Sequence, residues 1–210
     1  MPPKSKSKRS YHHGDLRAAI LAGAVEVIAE RGLHGLSLRE CARRAGVSHA
    51  APYRHFADKD ALLRAIARQG FEWLSEAGRR AMEGVTRPRD RLDGYGAAYV
   101  RFAVEHPVHH RVMFASELPN DPAAREGAGD EGAGDEEDDA GAFTLLVETA
   151  AELVAPGVDP TPTAVASWSL VHGLAMLILD GRIPAEVVSS PDEAEAFARE
   201  LFAQWRGALR

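Results

Sequence analysis

A chain of 210 residues with 45% hydrophobic side chains has room for a sizeable core in one or two domains. Its single cysteine, Cys41, excludes an intrachain disulfide and a multi-cysteine zinc site, and fits a reducing, cytoplasmic setting. The net charge of −6 argues against a nucleic-acid partner until its distribution is read: residues 1–60 carry 11 Lys and Arg against 6 Asp and Glu, and the remainder carries 14 against 25. A basic front on an acidic body is what a DNA-reading head on a separate regulatory body looks like.

Residues 1–14 form a basic arm without the apolar segment of a secretory signal. The arm suits either contact with phosphates or the minor groove, or a solubilising tail. The adjacent His12 and His13, without a third ligand, do not make a metal site. Leu16, Ile20, Leu21, Ala24, Val25 and Ile28 then recur at helical spacing over residues 15–32, and Gly32 ends the run. Ser37 with Glu40 three residues on forms a capping box for a second helix, stopped by Gly46. Ser48 caps a short third helix and Asp58 a long fourth one, to about residue 80. Pro52 inside the third helix predicts a loosened or 3₁₀-like first turn, and disfavours the α region at Ala51.

Further helices are expected over 90–105, 108–118, 142–155, 162–181 and 192–209, giving an all-α chain of about nine helices. Residues 119–141, with the tandem EGAGD and an acidic run, lack apolar residues to bury and read as a disordered loop. The tract at 126–139 is alternatively a nucleic-acid mimic or a cation binder. The longest apolar run, residues 164–179, falls short of the ~20 residues that cross a bilayer, so no membrane partner is expected.

Two short helices joined by Ala45-Gly46-Val47-Ser48 have the geometry of a DNA-binding helix-turn-helix. The string SLRECARRAGVSHAAPYRHFADKDALL resembles the N-terminal domain of TetR-family transcription regulators through Ser37, Ala45 to Ser48, Tyr53, His55, Phe56, Lys59, Asp60 and Leu62. The resemblance covers about residues 11–75 and implies a helix-turn-helix head over 15–57. It implies that His49, Ala50 and Ala51 lie at the base edges, where His49 exchanges hydrogen bonds and the alanines touch thymine methyls, with Ser48 before them also in the DNA-binding set. It also implies that Arg39 reaches the groove and that Ser37, Tyr53, His55 and Lys59 hold phosphates, which set register rather than sequence. Arg43 and Arg44 add long-range attraction, and Phe56 belongs to the core. The family usually has Gly at position 50 and an aliphatic residue at 52, where this chain has Ala50 and Pro52.

The body over 58–210 is expected to bind an effector and to dimerise. Between Thr163 and Leu179 no residue is charged, so that helix must be covered on every side. With the stripe Phe197, Ala198, Leu201, Trp205 and Ala208, the helices at about 162–181 and 192–209 are the expected homodimer surface. The string Trp168-Ser-Leu-Val-His172-Gly173 resembles the Trp–His–Gly signature of a TetR C-terminal subclass, and EHPVHHRVMF resembles a second segment of it, with His110 where an aromatic is usual. Gly173 is expected to admit a close helix approach.

Effector-lining candidates are Phe71, Tyr99, Phe102, Met113, Phe114, Trp168 and His172, with Trp73 and Tyr95 beside them; such walls suit a moderately apolar small molecule. His172 is either a polar group facing that ligand or a satisfied core histidine. The sequence contains no P-loop, Gly-x-Ser-x-Gly or His-Glu-x-x-His, so neither a catalytic site nor a cofactor is expected. The resulting expectation is a dimeric repressor of a double-stranded DNA operator, released by a small molecule. The alternatives are a ligand-independent DNA-binding regulator or a metal-responsive one using His106, His109, His110 or His172; no metal site is assigned.

Overall fold

The computed structural model describes residues 13–115 and 137–208, and the side chains of residues 16–115 and 141–205. The basic arm up to residue 12 and most of the acidic tract, 116–136, lie outside the described residues. The described chain is all-α, with eight α-helices, two 3₁₀ turns and no strand. Its packing divides between Ile66 and Ala67 into two compact units.

In the first unit, α1 (His13–Arg31) ends at Gly32, which takes a φ of 69°. A 3₁₀ turn (Leu33–Gly35) leads to α2 (Leu38–Arg44). Ser37 holds extended dihedrals, and its Oγ accepts the Glu40 N–H at 3.2 Å. The capping box is half made, because the Glu40 carboxylate turns to Arg43 (2.9 and 2.6 Å) instead of reaching back to Ser37. After α2, Gly46 takes a φ of 66°. Its N–H bonds the Arg43 carbonyl, and the Val47 N–H bonds the Ala42 carbonyl, so two orphan carbonyls are satisfied across a left-handed residue. Ile20, Ala24, Val27 and Ile28 of α1 are buried, as are Leu38, Cys41 and Ala42 of α2, Phe56, and Leu62, Leu63 and Ile66 of the next helix.

The third helix of the head is absent as an α-helix. Residues 49–51 form a turn, followed by a single 3₁₀ turn, Pro52–Arg54. The proline explains it. Without an N–H at position 52 the usual bond to the Ser48 carbonyl is impossible, and the Ala51 N–H makes it instead, one residue early, at 2.9 Å. Ala51 nevertheless lies in the α region (φ −64°, ψ −42°), against the expectation drawn from the following ring. The Pro52 ring is fully buried, and burial of that apolar surface favours this backbone. Helix α3 (Lys59–Met82) begins with the Asp58 cap accepting the Ala61 N–H at 2.7 Å.

The second unit contains the rest of α3 with α4 (Pro88–Glu105), α5 (Pro107–Met113), α6 (Glu137–Ala151), α7 (Thr161–Leu179) and α8 (Pro191–Ala208). Helix α4 is central and packs on α5, α6, α7 and α8. The buried faces of Tyr95, Tyr99, Val100, Phe102 and Ala103 are the reason. Gly78 of α3 makes one close crossing possible: a Cβ there would sit 2.4 Å from the Tyr95 ring, whose hydroxyl donates to the Ala142 carbonyl at 2.8 Å.

Helix α6 starts five residues before the expected 142, so the end of the predicted loop is helical; acidic residues such as Glu137, Asp138 and Asp139 favour a helix N-terminus. Helix α7 is longer than its apolar run suggested, because uncharged Thr161, Pro162 and Thr163 extend it. At 19 residues and a mean hydropathy of 1.5 it is long and apolar enough to cross a membrane. It is nonetheless a packed element of this unit, burying Ala164, Val171, Leu174 and Ala175 against its neighbours. Val165, Met176 and Leu177 remain exposed on it, as does Trp205 on α8. A Cβ added at Gly173 would meet nothing within 4 Å among the described residues.

Candidate nucleic-acid interface and effector site

The head presents a compact set of exposed polar groups. Ser48, His49 and Ala50 are exposed on the turn, Tyr53 is 53% exposed on the 3₁₀ turn, and Ala51 and His55 are half-buried. Ser37 and Arg39 are exposed at the start of α2. Arg54, beside Tyr53, is exposed and has no ion-pair partner among the described residues. It was not among the residues expected from the sequence, although a cation between Tyr53 and His55 was the available signal. Phe56 is buried beneath the guanidinium of Arg17, 5.3 Å from its ring centre.

Three expected cations are engaged elsewhere. Arg43 forms a two-pronged pair with Glu40, and that guanidinium pulls the Glu40 carboxyl down to about 2. Arg44 bonds Glu30 at 2.8 Å and Glu26 at 3.3 Å. Their attraction for a polyanion is therefore largely neutralised. Lys59 donates to the Leu33 carbonyl at 2.8 Å, which fastens the start of α3 to the turn after α1 and leaves two of its three N–H groups for other partners.

In the body, Phe71, Tyr99, Phe114, Trp168 and His172 come together. Phe114 lies 5.9 Å from Phe71, 5.8 Å from Trp168 and 4.8 Å from His172, measured between ring centres. The polar member of the group is a bridge: the Tyr99 hydroxyl meets His172 Nδ1 at 2.8 Å and His110 Nε2 at 3.0 Å. The two imidazoles stack at 5.4 Å and 26°. His110, buried at 1% exposure, is in the sequence a departure from the usual aromatic and one of four histidines of the metal-responsive alternative, and no sequence spacing links it to His172. His172 is half-buried.

Phe102 and Met113 are buried outside this group. Phe102 tilts on His106 at 5.2 Å, and Met113 packs on Gly70, where a Cβ would meet its Sδ at 2.5 Å. Trp73 lies over His106 and His109, and His109 Nε2 bonds Gln69 at 3.1 Å. Tyr95 is buried, with its hydroxyl on Ala142.

Burial sets the charge state here. It pushes His110 down to about 4, with smaller contributions from His172 and Arg111, and pushes His109 down to about 4 with help from His106. It also lowers His172 and raises the Tyr99 hydroxyl. At neutral pH the bridge is uncharged. Among the described residues, no three His, Cys, Asp or Glu are grouped to hold a metal ion.

A head in which α2 and a tight turn lead to a 3₁₀ turn in place of the second helix, with an all-helical body, fits the class of helix-turn-helix regulators. Residues 20–66 match the bacterial regulatory proteins of the tetR family, and residues 92–205, more than half of the chain, match the tetracyclin repressor-like C-terminal domain. The chain belongs to the tetR family. It is 31% identical over 106 residues to the transcriptional activator FasR of Mycolicibacterium smegmatis, covering 50% of this chain and 48% of that protein. It is 33% identical over 94 residues to the transcriptional repressor KstR2 of Mycobacterium tuberculosis, covering 45% and 46%. The chain thus spans about half the length of the curated relatives it matches. A solved structure of a protein of unknown function from Rhodococcus sp. RHA1 is 35% identical, with a TM-score of 0.68 over 95% of this chain and 98% of that one.

Proposed function

We propose that the chain is a homodimeric, operator-binding transcriptional repressor that a small molecule releases from double-stranded DNA. The observation that carries this reading is the exposed row Ser48, His49, Ala50, Tyr53 and Arg54, presented on a short turn that Pro52 and Phe56 anchor in the core. His49 and Ala50 then face base edges. Ser37, Tyr53, Arg54 and the free N–H groups of Lys59 hold phosphates, while Arg39 reaches the groove and half-buried Ala51 and His55 support the turn. In this reading residues 15–57 read DNA and residues from 58 onward carry the effector and dimer surfaces.

The exposed Val165, Met176 and Leu177 of α7 and Trp205 of α8 are the surface that a second copy would cover. The effector would sit against Phe71, Tyr99, Phe114, Trp168 and His172, with Phe102 and Met113 behind. Its binding would favour body conformations whose paired heads no longer match the operator half-sites. Such a protein works in the cytoplasm, where its DNA is.

The test is a footprint of the purified chain on the DNA upstream of its own coding region, at low salt, with and without a panel of small apolar molecules. A protected, two-fold-related pair of half-sites that opens with one of the molecules is the expected result. Uniform, sequence-independent protection would sink the operator reading, and an unaffected footprint with every molecule would sink the effector reading.

A further inference from the structure

The Tyr99 bridge has a property that does not depend on which tautomer each histidine adopts. A phenolic hydroxyl carries one hydrogen, so it donates to one imidazole and accepts from the other. The imidazole that accepts has its proton on the far nitrogen. The imidazole that donates has a lone pair on its far nitrogen. Whichever way the bridge is polarised, His110 Nδ1 and His172 Nε2 therefore present one N–H and one lone pair between them. Neither nitrogen has a hydrogen-bond partner among the described residues. Among the described residues the sealed, unpaired side-chain atoms are Ser75 Oγ and Arg91 Nε, so these two imidazole nitrogens keep access to space beyond the packed core.

The surroundings narrow what can pair with them. Phe114 and Trp168 flank His172, Phe71 continues from Phe114, and Phe143, 41% exposed, continues from Trp168 at 6.2 Å. Phe71, Phe114, Trp168 and His172 are all only part-buried, so the aromatic wall is incompletely covered. The titratable groups at the bridge are Tyr99 from α4, His110 and Arg111 from α5 and His172 from α7. Neither imidazole has a carboxylate partner among the described residues. Arg111, whose charge reaches His110, is exposed and hydrated on α5, so a buried anion at the imidazoles would lack a compensating cation.

We infer that His110 and His172 hold the polar end of the effector, and that this end is an uncharged group able both to donate and to accept a hydrogen bond, such as a hydroxyl, on an apolar, aromatic-sized body. The inference rests on the reading that the body binds an effector and adds the chemistry of its head group. A carboxylate would fit only with the uptake of one proton, which turns the lone pair into a second N–H donor.

Isothermal titration of the full chain with 2-naphthol, 2-naphthoate and naphthalene tests this. At about pH 8 naphthol should bind roughly tenfold more tightly than naphthalene, the effect of about one buried hydrogen bond. Naphthoate should be weaker than naphthol, and should gain up to about tenfold per unit as the pH is lowered toward 6, while naphthol stays level. His110→Phe, which keeps an aromatic at that position, should erase the preference for naphthol over naphthalene. The wild-type comparison decides on its own if that variant does not fold. Naphthol no tighter than naphthalene, or naphthoate tighter than naphthol at pH 8, overturns the head-group assignment and leaves the effector reading standing. Failure of all three to bind at millimolar concentration overturns both.

Discussion

An imidazole that stays neutral in the folded chain but charges once the chain unfolds makes stability depend on pH, and His110 is such a group. Its folded state holds the proton less tightly than the ordinary value of 6.5, down to about 4. The stabilisation is therefore complete above about pH 6.5 and is lost as the pH falls from there through 4, by up to about 3 kcal/mol for a group this buried. Thermal unfolding followed from pH 7 to pH 4 should show the midpoint falling across that window, and the fall should be shallower in His110→Phe. On the head, Arg54, like Arg39, is an exposed cation without an ion-pair partner among the described residues. Arg54→Ala should weaken operator binding about equally for all sequences and reduce the salt dependence by roughly one contact per head, measured by titration at several salt concentrations. Arg43→Ala, whose charge Glu40 already holds, should change binding much less.

At the scale of the element, the closest crossing in the body depends on a missing methyl group. Gly78→Ala would bring a Cβ to 2.4 Å from the Tyr95 ring, and that ring cannot swing away without releasing the Ala142 carbonyl. A loss of about 1–3 kcal/mol is expected in denaturant unfolding. Gly173→Ala, in open space on α7, meets no such clash among the described residues. Most of the elements were legible in the sequence because their causes are local. The spacing of Ile20, Ala24 and Ile28, the Ser37 and Asp58 caps, and the Ser190 cap accepting the Glu193 N–H at 3.2 Å all lie within one turn of the residues they govern. The 3₁₀ turn was legible only in part. Pro52 announces a disturbed helix, but the disturbance consumes the whole element because the ring is buried, and burial is a property of the folded unit. The bridge was not legible, since Tyr99, His110 and His172 meet across three helices and no spacing rule reaches that far. The same holds for Lys59, whose partner is a backbone carbonyl 26 residues away.

At the scale of the whole molecule, α7 sets the expected assembly. A 19-residue uncharged helix that buries about a fifth of its residues within the subunit leaves apolar surface that water solvates poorly. Leu177, 48% exposed, lies on that face. Leu177→Glu places a charge where a second copy would have to desolvate it. The variant should sediment as a monomer, and its operator affinity should fall steeply, since one head alone gains nothing from the second half-site. A variant that remains dimeric with unchanged affinity would move the interface away from α7.

The pairing of Arg43 with Glu40, and of Arg44 with Glu26 and Glu30, bears on how the protein would find its target among competing DNA. Attachment to arbitrary sequence grows with the number of phosphates a protein neutralises. By holding these two arginines in internal pairs, the head would limit its grip on the rest of the chromosome. Residence on the wrong sequence would then be brief, so a small number of copies would suffice to keep one operator occupied.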